Sequence, residues 1–130
     1  MDKFKNKTAL LADDEPEVLS HLAKQLTDMG FHVLTANSQK EAEEIFAKQK
    51  PDVAILDLMM EKQDSGFILA YEIKKQYPTL PVVLLAEVTS DTRVLFSLET
   101  EGEQNWIKAD RYLEKGLRPE QLAHVLRELL

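Results

Sequence analysis

Short apolar runs alternate with longer stretches of helical period along the chain. Thr8–Ala12 is a short apolar run and predicts a buried strand. Glu15–Met29 predicts a helix: Val18, Leu22 and Leu26 recur every four positions, Leu19 and Met29 join them, Pro16 suits the first turn and Gly30 stops it. Phe31–Ala36 predicts a second strand. Ser38-Gln39-Lys40-Glu41 has capping-box spacing and opens a helix to about Lys50, with Ala42, Ile45 and Phe46 inward. Val53–Leu56 is apolar throughout, as a central parallel strand covered on both faces should be, and Asp57 stands at its C-terminal end. A loop of mixed polarity leads through Gly66 into a helix ending near Tyr77, before Pro78. Val82–Leu85 predicts a fourth strand, Arg111–Leu113 a short fifth, and Pro119–Leu130 a last helix with Leu122, Val125, Leu126 and Leu129 on one side. From Glu87 to Ala109 the pattern fails: Thr92–Leu98 could form two helical turns, but Glu99–Asn105 has no apolar period. A short helix or loop is expected there in place of a regular fourth helix.

Alternating strands and helices with short connections imply a doubly wound, five-stranded parallel sheet with helices on both faces. No repeat, linker or low-complexity run interrupts it, so residues 1–130 read as one domain. Ligands of such sheets bind outside the carboxyl ends of the strands. The first strand delivers Asp13, Asp14 and Glu15 to that edge, the third Asp57, the fourth Ala86 and Glu87, and the fifth Glu114 and Lys115.

Composition narrows the chemistry. The formal net charge of −7 repels phosphate backbones, so direct nucleic-acid binding is not expected. The absence of cysteine removes disulfides, thiolate nucleophiles and zinc–sulfur sites. The short TALLA run is too brief for a leader peptide, and no apolar stretch is long enough for a membrane span, so the chain reads as cytoplasmic and unanchored. His21, His32 and His124 lack metal-ligand spacing. Carboxylates gathered without His or Cys favour a hard cation, Mg²⁺ or Ca²⁺; Mg²⁺ typically uses few carboxylates together with a phosphate oxygen. A strand-end carboxylate acting as nucleophile toward a phosphoryl group, with the metal and Lys115 offsetting charge, follows from that set.

Leu10-Leu11-Ala12-Asp13-Asp14-Glu15-Pro16, Ala54-Ile55-Leu56-Asp57-Leu58-Met59-Met60 and Tyr112-Leu113-Glu114-Lys115 together resemble the receiver (CheY-like) family of two-component response regulators. The resemblance implies a flavodoxin-like (βα)5 fold and a phosphorelay role, with Asp57 taking a phosphoryl group from a histidine kinase or phosphotransfer protein. It implies Mg²⁺ held directly by Asp14 and Asp57, by Asp13 through water, and by the Met59 backbone carbonyl. Lys115 would pair with the acceptor or its phosphate, and Tyr112 would be a switch aromatic. The chain would not be an enzyme in the ordinary sense, although it would catalyse its own phosphorylation and a slow autodephosphorylation. Its downstream partner would be a protein that the sequence does not name.

The sequence departs from the family at several positions. Ala86 replaces the usual Thr or Ser, whose hydroxyl would bond the phosphoryl oxygen, and Glu87 replaces a small residue. Gly116 replaces the proline that usually follows the lysine. Ala86 to Lys115 spans 29 residues, which places an insertion around the fourth helix. Glu61 stands where proline is common, and Asp64-Ser65-Gly66 where Asp-Gly is usual. Met59 and Val88 occupy the positions that influence hydrolysis, and neither can orient water, so a persistent phosphoryl-aspartate is expected. A degenerate receiver acting as a phosphorylation-independent adaptor is the alternative. A Mg²⁺ phosphohydrolase fits poorly because Met59 stands where a second acid would be needed. A dinucleotide-binding domain fails because the turn after the first strand has no glycine.

Overall fold

Period-2 alternation within each strand divides the core into two. Leu10 and Ala12, Ala54 and Leu56, and Val82 and Leu84 pack on one face of the sheet, while Ala9 and Leu11, Val53 and Ile55, and Val83 and Leu85 pack on the other. The computed structural model describes residues 4–62, 64–86 and 109–130. Its strands are β1 (Thr8–Ala12), β2 (His32–Ala36), β3 (Val53–Asp57), β4 (Val82–Ala86) and β5 (Arg111–Glu114). Its helices are α1 (Pro16–Asp28), α2 (Gln39–Lys48), α3 (Ser65–Gln76) and α4 (Pro119–Leu129). The sheet is parallel throughout, in the order β2-β1-β3-β4-β5. Helices α2 and α3 cover the first face through Ala42, Phe46, Phe67, Leu69, Ala70 and Ile73. Helices α1 and α4 cover the second through Leu26, Leu122 and Leu126.

The expected elements are present, with boundary shifts that have local causes. Glu15 is the N-cap of α1, so the helix begins at Pro16, whose missing N–H costs nothing in the first turn. The Phe31 N–H donates to the Leu26 carbonyl at 3.1 Å, closing the end of α1, so β2 starts one residue later than the apolar run. Gly30 makes that turn at φ 108°. Helix α2 stops at Lys48 rather than Lys50, because Gln49 is already extended and Pro51 follows two residues later. Strands β3, β4 and β5 each run one residue further than predicted, to Asp57, Ala86 and Glu114. The irregular stretch expected after Ala86, with Glu87 and Val88, lies outside the described residues.

Candidate functional site

Three strand ends and one close helix contact build the site. Beyond β1, the Asp13 N–H donates to the Ala36 carbonyl at 3.1 Å, so the chain is still held to β2 as it leaves the sheet. Its side chain folds back and Oδ1 accepts the Glu15 N–H at 2.9 Å, leaving Asp13 with no exposed surface. Asp57 is the last residue of β3, opposite Leu85, and 1% exposed. The Lys115 N–H donates to the Ala86 carbonyl at 2.9 Å, which sets the lysine directly beyond β5. Helix α3 begins against β3: a Cβ on Gly66 would lie 2.6 Å from the Asp57 carbonyl oxygen and 2.7 Å from Leu58 Cα. That contact explains glycine there. Gly116, at φ 89°, has open space around it and is required by backbone conformation alone.

Carboxylate oxygens of Asp13, Asp14 and Asp57 lie within 4.8 Å of one another. The Lys115 ammonium is 3.0 Å from Asp57 Oδ1, 3.4 Å from Asp13 Oδ2 and 3.1 Å from Glu15 Oε1. Only the last of these is a directed hydrogen bond, whereas Asp13 Oδ2 and Asp57 Oδ1 are buried without one. The ammonium therefore offsets charge on the two aspartates but leaves lone pairs unfilled. Burial, reinforced by the Asp13 charge and opposed by Lys115, pushes the Asp57 carboxyl up to about 8. Burial also raises Asp13, against the Glu15 N–H and Lys115. For Lys115, burial acts to lower the pKa, but the attraction of Asp57, Asp13 and Glu15 outweighs it and holds the amine well above the usual range.

A hard divalent cation fits this set. All the donors are carboxylate oxygens, two of them buried without a hydrogen-bond partner, and a second positive charge would favour the ionised forms that burial opposes. Of the residues singled out from sequence, Asp13, Asp14, Asp57 and Lys115 come together. Met59, two residues past Asp57, is half-buried against the core on the α2–α3 side, as is Met60. Ala86 ends β4, 1% exposed, and offers no hydroxyl at that edge. Tyr112 pairs with Leu84 across β4 and β5 and is half-buried against the same cluster.

Two contacts around the site are not signalled by the sequence. Glu15 belongs to the predicted run of acids, but nothing local signals its bond to a lysine 100 positions away. Glu61 reaches from the loop after Asp57 to the start of α2, where its carboxylate accepts the Gln39 N–H at 2.8 Å and the Lys40 N–H at 3.4 Å. Burial acts to raise the Glu61 pKa, but these bonds and the Lys62 charge outweigh it and lower the pKa. Ser38 Oγ accepts the next amide, of Glu41, at 3.1 Å, so the first three N–H groups of α2 are all satisfied, two of them by another loop.

Comparison with known proteins agrees with this geometry. The family model described as "Response regulator receiver domain" matches residues 9–127. A probable transcriptional regulator ycf27 of Guillardia theta is 31% identical over 130 residues, covering 100% of this chain and 48% of that protein. The chain thus spans about half the length of the curated relatives it matches in full. Among solved structures, a response regulator receiver domain protein from Clostridium thermocellum has a TM-score of 0.78 at 27% identity, over 95% of this chain and 93% of that one. The response regulator protein TrrA from Thermotoga maritima, in complex with Mg²⁺-BeF, has a TM-score of 0.77 at 28% identity, over 95% and 99% of the two chains. With three acids and a lysine brought from separate strand ends to one edge, and a family match across nearly its whole length, the chain belongs to the response regulator receiver domain family of two-component systems.

Proposed function

We propose that this receiver takes a phosphoryl group onto Asp57 from a histidine kinase or phosphotransfer protein, with Mg²⁺ held by Asp13, Asp14, Asp57 and the Met59 carbonyl. The observation that carries the reading is the pair of buried aspartates whose unfilled oxygens face one ammonium 3.0 and 3.4 Å away. Bound Mg²⁺ would supply charge neutralisation on the transferred group and favour the ionised carboxylates. The chain's own residues do the rest. An oxygen of ionised Asp57 forms a bond to phosphorus as the bond to the donor breaks, and the donor leaves with that electron pair. Lys115 offers N–H groups to the developing negative charge, and Gly66 lets α3 hold the Asp57 backbone fixed while this happens. The apolar Met59 positions no water, consistent with slow autodephosphorylation. A cytoplasmic location and a downstream protein partner belong to the same reading. No helix among the described residues is long and apolar enough to cross a membrane.

Ala86 favours a second reading, a degenerate receiver that signals by contact alone, because the end of β4 lacks the hydroxyl that would bond a phosphoryl oxygen. Intact mass after incubation with acetyl phosphate separates the two. A single phosphoryl gain that requires Mg²⁺ and is lost in Asp57→Ala supports the acceptor. No gain under any condition leaves the adaptor.

A further inference from the structure

Glu15 occupies the N-cap position of α1, yet its side chain makes no cap bond; its own N–H is taken by Asp13 Oδ1 instead. The carboxylate turns to Lys115. There, Glu15 Oε1 accepts a directed hydrogen bond at 3.1 Å, while the closer Asp57 Oδ1 and the more distant Asp13 Oδ2 sit off the hydrogen-bond direction. The Glu15 side chain is 50% exposed and the Lys115 side chain 12%, whereas those of Asp13 and Asp57 are almost fully buried. The ammonium is thus oriented by the outermost of its three partners.

We infer that Glu15 is a positioning residue that acts through Lys115, turning the ammonium toward the mouth of the site and competing for it with a phosphoryl group on Asp57. The inference rests on the acceptor reading and adds a residue to it. An ammonium has three N–H donors, and a phosphoryl group seated on Asp57 would offer it several charged oxygens. Those oxygens and the Glu15 carboxylate then compete for the same ammonium. Glu15 therefore acts as a brake on phosphorylation, and its removal strengthens the Lys115–phosphoryl pair. A half-exposed ion pair of this kind shifts an equilibrium or rate by about two- to fivefold.

The test compares wild type, Glu15→Gln and Glu15→Asp in Mg²⁺ buffer with acetyl phosphate, following the initial rate and plateau of phosphoryl gain by intact mass beside thermal melts. Glu15→Gln should be about two- to fivefold faster, with a higher plateau and an unchanged melting temperature. Glu15→Asp keeps the charge but is one methylene too short to reach Lys115, and it should match Glu15→Gln. In metal-free buffer, the Lys115 ammonium ¹⁵N resonance should move in both variants. A Glu15→Gln rate at or below wild type overturns the inference. So does a Glu15→Asp protein that behaves as wild type, since the charge alone would then be acting on the donor; an unmoved ammonium resonance also overturns it. If wild type itself gains no phosphoryl group, the acceptor reading fails in that arm, before any variant is compared.

Discussion

At the edge where the strands begin, Asp52 and Asp110 each close a two-bond staple. Asp52 Oδ2 accepts the Thr8 N–H at 2.7 Å while the Asp52 N–H donates to the Thr8 carbonyl at 2.7 Å. Asp110 repeats this with Val82, at 2.8 Å in each direction, and adds an ion pair to Lys74 at 2.9 Å. At the opposite edge, Asp13 and Asp57 are buried beside each other, each with an oxygen that receives no hydrogen bond. The same side chain joins strands at one end of the sheet and, in the proposed function, takes part in phosphoryl transfer at the other. What differs is whether the lone pairs are filled and whether water can reach them. One end spends its carboxylates on joining strands; the other keeps them short of partners, at a cost in stability that a cation and a phosphoryl group would relieve.

Removing a carboxylate at each end should give opposite signs. The largest effect is expected from Gly66→Ala, whose new Cβ would meet the backbone of Asp57 and Leu58; urea denaturation should show a loss of about 3 kcal/mol. Asp57→Asn should do the reverse, raising stability by about 2 kcal/mol at pH 8 without metal, because burial and the Asp13 charge oppose the ionised carboxylate that is removed. The pH dependence carries the same sign. The folded Asp57 carboxyl binds its proton more tightly than the ordinary 3.8, up to about 8, so the folded state holds the extra proton between those values. The melting temperature in EDTA should accordingly fall as pH rises from about 4 to about 8. That slope should shrink in Asp57→Asn; a flat or rising wild-type profile would count against a strained acceptor. At the other edge, Asp110→Ala should destabilise by about 1–2 kcal/mol, through loss of the Val82 bond and the Lys74 pair, at any Mg²⁺ concentration. The smallest change is expected from Glu61→Ala, about 1 kcal/mol through the uncapped start of α2, read from the same denaturation curves.

The sequence was most readable where burial dictates pattern. Val53–Leu56 is apolar at every position because β3 lies centrally with a core cluster on each face, and that alone brings Asp57 to the correct edge. Three separated motifs then converge because parallel strands all end on one side. Contacts between loops were not readable. Glu61 and Gln39 are 22 positions apart and Glu15 and Lys115 100 apart, and no periodicity links either pair. The staples of Asp52 and Asp110 were missed for the same reason: an acid before a strand looks like an ordinary loop residue until the neighbouring strand is in place. Boundary shifts at Phe31 and Gln49 reflect single backbone choices that hydrophobic pattern does not encode.

The most direct test of the central claim is chemical. Protein incubated with acetyl phosphate is reduced with borohydride, which converts an acyl phosphate on aspartate to homoserine, and the peptides are sequenced by mass spectrometry. Homoserine is expected at position 57 only, and only when Mg²⁺ is present during incubation. Conversion at Asp13, Asp14 or Asp52 instead, conversion independent of the metal, or none at all would contradict it.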